Sequence, residues 1–331
     1  MDILPFDQTH ISQAAALFVQ SFQTLRRSQP ILPDLMANPQ RVRDKLGQLV
    51  ERQTGLVAME GDMLVGYMGW FLVDGFRGTE RKGAYCPVWG HGAADVARPV
   101  IYRALYQAAA QQWAAARCGV YAITLMAHDR ELDNTWFWNG FGLAVVDAIR
   151  SLTPLNDAEP EGFSVRRANL DDVATLAALE AEHTQYYSKP PVLMAPQPPH
   201  DEDALVTFFR VPANNYWLAE QDGQALGFMR FENEEFGATE IVSARTTIAI
   251  TGAFVRPAYR GRGMAVELLD AGLRHYGSRG FARCSVDFEA FNPAARAFWL
   301  RFFEPVCYSL MRVPEYVAPE TPAPRDDADS V

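Results

Sequence analysis

Cysteine is scarce in this sequence, and the few cysteines are not arranged for chemistry. The 331 residues include four cysteines, which stand far apart in the chain. Because no Cys-x-x-Cys pair and no Cys/His cluster is present, we expect no metal site and no disulfide framework. Free, scattered cysteines are typical of proteins in the reducing cytoplasm, where we expect this protein to reside.

Long apolar runs and an excess of positive charge are also absent. No stretch approaches the roughly 18 uninterrupted apolar residues of a membrane span, and the opening residues MDILPFDQTH lack the cationic start of a secretory signal. The chain has 30 Lys and Arg against 40 Asp and Glu, which gives a net charge of −10. We therefore expect no membrane partner and no nucleic-acid partner, since a nucleic-acid binder needs a basic face.

The chain is long and apolar enough to build more than one core. Its 331 residues are 49% hydrophobic and 21% charged, which excludes a disordered or fibrous protein. At about 150 residues for each domain, this length favours two domains. Residues 313–331 are acidic and rich in proline, and we predict a disordered tail there.

Three weak sequence matches recur at nearly the same spacing along the chain. The matching segments are residues 57–68 with 218–229, 137–141 with 298–302, and 7–18 with 169–180. Because a shared spacing makes coincidence the weaker alternative, we infer two copies of one fold. The predicted domains are residues 1–155 and 163–312. Each reads as a mixed α/β (α+β) unit, in which helices cover a mostly antiparallel sheet.

The second copy contains a glycine-rich turn between a strand and a helix. Residues 247–255 are apolar and β-branched, as a buried strand should be, and residues 260–265 (RGRGMA) then open an amphipathic helix. Free backbone N–H groups and the helix dipole make such a helix start a phosphate-binding place. The segment matches neither an ATP-binding P-loop nor a dinucleotide fingerprint. The alternative is a simple helix entry with solvated arginines.

The context of this turn resembles the GNAT acetyltransferase superfamily. Residues 260–265 fit its R-x-x-G-x-A motif, and residues 292–298 fit its N-x-x-A-x-x-F motif in a later helix. The hairpin strand containing residues 226–228 (LGF) is similar to a strand that precedes the motif in that family. The resemblance covers about residues 163–312, with these features in the family's order.

The resemblance implies acetyl-CoA as the acyl-donor substrate. The turn would hold its pyrophosphate, the end of the preceding strand would pair with the pantetheine arm through its backbone, and Asn292 would bind the cofactor. Asn292 is alternatively a helix N-cap, since Pro293 follows it. The cofactor-binding residues implied in this way are Phe254, Val255, Arg260, Gly261, Arg262, Gly263, Met264, Ala265, Asn292, Ala295 and Phe298.

The implied reaction is direct transfer of the acetyl group to an amine of a small molecule or peptide. An alkylamine with a pKa of about 10.4 must lose a proton before it attacks. Asp287 and Glu289 alternate with Phe288 on a strand, so they share one face and are candidate bases. The alternative is that these two carboxylates only solvate a sheet edge.

Two positions depart from the family's pattern of catalytic residues. Thr251 stands where many members carry a glutamate base, and Trp299 stands where many carry a tyrosine acid. Tyr308 is our candidate replacement for that acid. Weaker candidates lie on the first helix of the second copy, where exposed polar positions are the alternative; these are His183, Tyr186 and Tyr187.

The first copy lacks the phosphate-binding motif. Residues 97–99 (ARP) stand at its helix start, so we expect that this copy has lost pyrophosphate binding. Such a layout of one active and one degenerate copy resembles mycothiol synthase. The alternatives to an N-acetyltransferase are a non-catalytic acyl-CoA-binding or scaffold protein and a transferase of a longer acyl group. A homodimer is compatible with each of these functions.

Overall fold

The computed structural model describes residues 1–127, 129–155, 162–233 and 239–317. Most of the tail predicted at 313–331 therefore lies outside the described residues. The helices are α1 (Ile11–Ser28), α2 (Pro39–Glu51), α3 (Arg98–Ala115), α4 (Arg130–Trp138), α5 (Val173–Tyr187), α6 (Glu202–Phe208), α7 (Met264–Gly277) and α8 (Pro293–Phe302). None of these helices combines the length and apolar character needed to cross a bilayer.

Fourteen strands alternate with these helices in the described part of the chain. The strands of the first half are β1 (Asp2–Pro5), β2 (Gly55–Glu60), β3 (Met63–Gly69), β4 (Phe71–Val73), β5 (Gly83–Cys86), β6 (His91–Ala93), β7 (Val120–Met126) and β8 (Gly142–Ser151). Those of the second half are β9 (Ser164–Arg167), β10 (Asn215–Gln221), β11 (Gln224–Asn233), β12 (Thr247–Val255), β13 (Arg283–Glu289) and β14 (Glu304–Arg312).

The strands form a four-stranded sheet, β1-β2-β3-β6, and a ten-stranded sheet, β4-β5-β7-β14-β8-β13-β12-β11-β10-β9. Most neighbours are antiparallel, but β5 pairs in parallel with β7, and β12 with β13. The matching segments 57–68 and 218–229 each form a hairpin, and the turns use the left-handed conformation at Gly61 (φ 60°) and at Gly223 (φ 75°). The mixed α/β architecture with a repeated unit is confirmed.

The two halves exchange their last strands. Strand β8 of the first half pairs with β13 of the second half from Val145↔Glu289 to Ser151↔Arg283. Strand β14, at the end of the second half, pairs with β7 of the first half and with β8. The sequence suggests that each copy closes with its own final strand, whereas the sheet runs without interruption across both halves.

Helices cover both faces of this shared sheet. In the second half, α7 and α8 pack on the face that carries Val286 and Phe288, while α5 and α6 pack on the face that carries Phe228 and Phe254. Since successive strand residues point to opposite faces, Ser285, Asp287 and Glu289 point away from α7 and α8. The polar side chains of β13 therefore lie on the face of the sheet that α5 covers.

Candidate active site

A cavity opens where strands β12 and β13 diverge. The two strands pair only between Thr247 and Ile250 on β12 and between Arg283 and Val286 on β13. Beyond these residues the sheet splays, and a cavity of about 570 Å³ lies in the gap. Residues of β11, β12, β13, α5, α7 and α8 line it. The end of β12 therefore has no neighbouring strand on its β13 side.

The glycine-rich turn forms one end of the cavity. Gly261 (φ 77°) and Gly263 (φ 87°) adopt left-handed conformations that glycine tolerates best, and Gly263 is the N-cap of α7. Within the described residues, the backbone N–H groups of residues 261–265 donate to no protein acceptor. The start of α7 adds about half a positive charge. These free amides can hold an anion such as a phosphate.

The side chains of the two arginines, Arg260 and Arg262, do not contact the backbone amides of the turn. The Nε of Arg260 donates to the carbonyl oxygen of Val255 at 2.9 Å, and its guanidinium lies 4.5 Å from the ring centroid of Tyr186. Arg262 lies over the ring of Tyr259 at 5.1 Å and is not among the residues that line the cavity. In this conformation the groups available to bind an anion are the backbone N–H groups, rather than the arginine side chains.

The other implied cofactor residues border the cavity. They are Phe254, Val255, Arg260, Gly261, Gly263, Met264, Ala265, Asn292, Ala295 and Phe298. The side chain of Asn292, only 3% exposed, accepts hydrogen bonds from the Ala295 N–H and the Tyr186 hydroxyl, both at 3.3 Å. Asn292 is thus an N-cap that also forms part of the cavity wall, so both interpretations from the sequence are compatible.

The two candidate carboxylates separate in the structure. Asp287 lines the cavity, and its side chain is accessible from it. Desolvation by neighbouring protein atoms raises the pKa of this carboxyl above the ordinary value. Glu289 is 9% exposed, is not among the lining residues, and forms an ion pair with Arg77 at 2.7 Å. Of the two, Asp287 is the group that a ligand in the cavity can reach.

Tyr308 lies away from the cavity. It is on β14, opposite Leu125 of β7 and Val146 of β8, because the strand exchange places β14 between these two strands. It is not among the lining residues, and the structure offers no support for a role of Tyr308 as an acid.

The aromatic face of α5 lines the cavity instead. The residues involved are the weaker candidates from the sequence, His183, Tyr186 and Tyr187. Burial, together with Glu289 and Asp287, raises the pKa of Tyr187 to about 12. Their spacing of three and four residues places all three side chains on one helix face. That spacing was the signal that identifies them from the sequence.

Thr251, at the position of the family's usual base, is held by an arginine. Arg230 donates to the Thr251 hydroxyl at 2.9 Å and to its carbonyl oxygen at 2.6 Å, and to Glu180 at 2.8 Å. Burial alone would raise the pKa of Glu180, but hydrogen bonds from His183, His200 and Tyr216 and the charge of Arg230 hold it well below its usual range. The Thr251 hydroxyl thus accepts a hydrogen bond from Arg230, and as a neutral alcohol it cannot replace a carboxylate base.

The equivalent place in the first half offers different groups to a ligand. Ala97 (φ 58°) is the N-cap of α3, and Pro99, in the first turn, has no N–H to donate. Arg98 forms ion pairs with Asp95 and Asp129, and Asp129 caps α4 as Asn292 caps α8. Carboxylates at this position repel a phosphate. The geometry agrees with the expected loss of pyrophosphate binding.

The described residues contain no group of three or more His, Cys, Asp or Glu side chains that could hold a metal ion.

Comparison with known proteins finds one family to which part of the chain is similar. Residues 176–303 match the model of the acetyltransferase (GNAT) family, whereas no curated protein sequence matches the chain significantly. A GCN5-related N-acetyltransferase from Sphaerobacter thermophilus is similar in structure, with 14% identity, a TM-score of 0.60, and coverage of 94% of this chain and 95% of that one. A tandem GNAT protein from the clavulanic acid biosynthesis pathway is 16% identical, with a TM-score of 0.52 and coverage of 97% and 99%. Residues 176–303 are therefore similar to the acetyltransferase (GNAT) family, within a chain whose fold is similar to that of a tandem GNAT protein.

Proposed function

We propose that this protein transfers the acetyl group of acetyl-CoA to a primary amine of a small molecule or peptide, in the cavity of its second half. One observation carries the proposal: a single cavity joins a set of free backbone amides at residues 261–265 to an accessible carboxyl group, Asp287. The first feature suits the phosphates of the donor, and the second suits the amine of the acceptor.

The donor side uses backbone groups and apolar walls. The N–H groups of residues 261–265 would donate hydrogen bonds to the pyrophosphate oxygens, in the field of the α7 dipole. The unpaired edge of β12 at Phe254 and Val255 offers backbone partners to the amide groups of a pantetheine arm, as an added strand would. To free the Val255 carbonyl, Arg260 must turn away from it. Arg260 would then be available to the phosphates.

The acceptor side uses Asp287. An alkylammonium ion, with a pKa of about 10.4, is attracted by the carboxylate and must lose a proton to become a nucleophile. Since burial raises the pKa of Asp287, this carboxylate is a stronger base at neutral pH than an ordinary aspartate. The amine nitrogen then bonds to the thioester carbonyl carbon, and the carbon–sulfur bond breaks. The thiolate, with an intrinsic thiol pKa of about 8.5, leaves without a dedicated acid.

Release of free thiol from acetyl-CoA, measured with a panel of primary amines, tests this proposal. We expect turnover with at least one amine, and we expect Asp287→Asn to lower kcat by about 10²–10⁴-fold, since a general base contributes that much. The affinity for acetyl-CoA should stay close to that of the wild type. Asp222→Asn is the matched control, because Asp222 lies in the exposed β10–β11 turn and asparagine tolerates its φ of 52°.

A non-catalytic acyl-CoA-binding protein is the second candidate. Two observations favour it. Thr251 replaces the usual glutamate and is hydrogen-bonded by Arg230, and Trp299 replaces the usual tyrosine. Binding of acetyl-CoA without thiol release on any amine would support this candidate and contradict the transferase. Absence of binding would contradict both.

A further inference from the structure

An aspartate from the first half stands directly opposite Asp287. In the antiparallel pair of β8 and β13, the register places Asp147 against Asp287. Directly opposed residues point to the same face, with Cβ atoms about 4.5–5.5 Å apart. The strand exchange therefore brings together two carboxyl groups that are far apart in the sequence and come from different halves of the chain.

The two carboxyl groups have different access to the cavity. Asp287 faces it, whereas Asp147 lies one strand further away and is only 6% exposed. The Asp147 Oδ1 accepts a hydrogen bond from the Thr239 N–H at 3.0 Å. Burial, and then the charge of Asp287, raise the pKa of Asp147 to about 8. A buried carboxyl of this kind destabilises the fold when it ionises, and such groups are concentrated at functional sites.

The surroundings of Asp147 provide no compensating cation. In the ranges that the structure describes, no Lys or Arg pairs with it. Two cations pair with neighbouring acidic groups instead: Arg77 pairs with Glu289, and Lys45 pairs with Glu240. The titratable groups that act on or face Asp147 are Asp287 on β13, Cys307 on β14, Tyr85 on β5 and Glu240 on the segment before β12. Of these groups, Asp287 and Glu240 favour the protonated form of Asp147, whereas the hydrogen bond from the Thr239 N–H opposes it.

We propose that Asp147 is a positioning residue for the acyl transfer, which retains a proton so that the carboxyl pair carries a single negative charge on Asp287. This inference rests on the proposed function of the cavity. It makes the first half a part of the active site, although Pro99 and the carboxylates of Asp95 and Asp129 stand at its own helix start. Two neighbouring carboxyls do not both ionise readily, so they titrate as a pair in two steps.

The first experiment measures the free energy of unfolding against pH for the full chain. Asp147 binds a proton in the folded state up to a higher pH than in the unfolded state. Its stabilisation is therefore fully present below the unfolded pKa and is lost as the pH rises toward 8. His91 and His275, both with pKa lowered by burial to about 4, act in the opposite sense below their unfolded pKa. A difference between two variants removes these other contributions.

The informative difference is that between Asp147→Asn and the wild type. We expect the folding equilibrium of Asp147→Asn, relative to the wild type, to improve by about tenfold for each pH unit between pH 5 and 8. Asparagine keeps the acceptor for the Thr239 N–H. The control is Ser285→Ala, on the same face of β13, which should parallel the wild type. Parallel curves for Asp147→Asn and the wild type would overturn the proposal.

The second experiment is the pH profile of turnover with an amine that the thiol-release panel identifies. In the wild type, the KM for the amine should fall several-fold as the pH passes about 8. Asp147 then ionises, and its negative charge adds to that of Asp287 in attracting the alkylammonium ion. Asp147→Asn should lack this step and keep the wild-type Kd for acetyl-CoA. A step retained in Asp147→Asn would overturn the positioning role. If no amine is turned over, the proposed function fails, and the stability difference alone decides whether the pair shares a proton.

Discussion

Substitution of Gly263 by valine tests the amide cradle at the start of α7. Gly263 has φ 87°, and a Cβ built on it meets no atom within 4 Å. Space therefore does not oppose the substitution, whereas the left-handed backbone does, at a cost of about 1–3 kcal/mol for a non-glycine residue. The valine either strains the turn or rotates it, and both outcomes disturb the direction of the neighbouring N–H groups.

Gly280 supplies a control with the same backbone cost. It has φ 83°, has open space around its Cβ position, and lies in the exposed turn after α7, outside the cavity lining. Gly263→Val and Gly280→Val should thus lose similar stability in the absence of ligand. Any difference between them in the presence of ligand reports on the cradle.

The expected effect follows from mass action. A ligand at 100 times its Kd stabilises a protein by about 2.7 kcal/mol, which for a chain of this size raises Tm by about 5 °C. Thermal unfolding with and without acetyl-CoA should show this shift for the wild type and for Gly280→Val, and no shift for Gly263→Val. A wild-type shift retained in Gly263→Val would refute the assignment of residues 261–265 to the pyrophosphate.

Two further predictions concern the strand exchange. Residues 163–312 expressed alone should aggregate, because β13 then exposes the edge that β8 covers and β14 has lost both partners. Size-exclusion chromatography and thermal shift test this. A soluble fragment that binds acetyl-CoA would contradict the prediction. Tyr308→Phe should leave the thiol-release rate unchanged, because Tyr308 is not among the cavity-lining residues; a loss comparable to that of Asp287→Asn would show that the exchanged strand moves during the reaction.

Local signals made much of the fold predictable from the sequence. Gly61 and Gly223 each stand between two apolar runs, which predicts a hairpin, and Gly263 followed by an apolar stripe predicts a helix start. Asn292 followed by Pro293 identifies an N-cap from chemistry alone. Each of these features depends on neighbours within a few residues, so the local sequence is enough to predict it.

The strand exchange and its consequences depend on distant residues. Strand β8 has an edge that suits either half, and no local pattern distinguishes pairing with β13 from pairing within its own copy. The opposition of Asp147 and Asp287, the removal of Tyr308 from the cavity, and the ion pair that withdraws Glu289 all follow from that one choice. The role of Arg230 at Thr251 was missed because it depends on a cross-strand contact between β11 and β12.

A crystal structure of the full chain with acetyl-CoA tests the central claim most directly. We expect the pyrophosphate oxygens to accept hydrogen bonds from the N–H groups of residues 261–265, with the thioester in the gap between β12 and β13 beside Asp287. We expect no second molecule at the start of α3, where Arg98 holds Asp95 and Asp129. Acetyl-CoA bound at α3, or bound elsewhere while the amides of residues 261–265 remain without a ligand, would contradict the account.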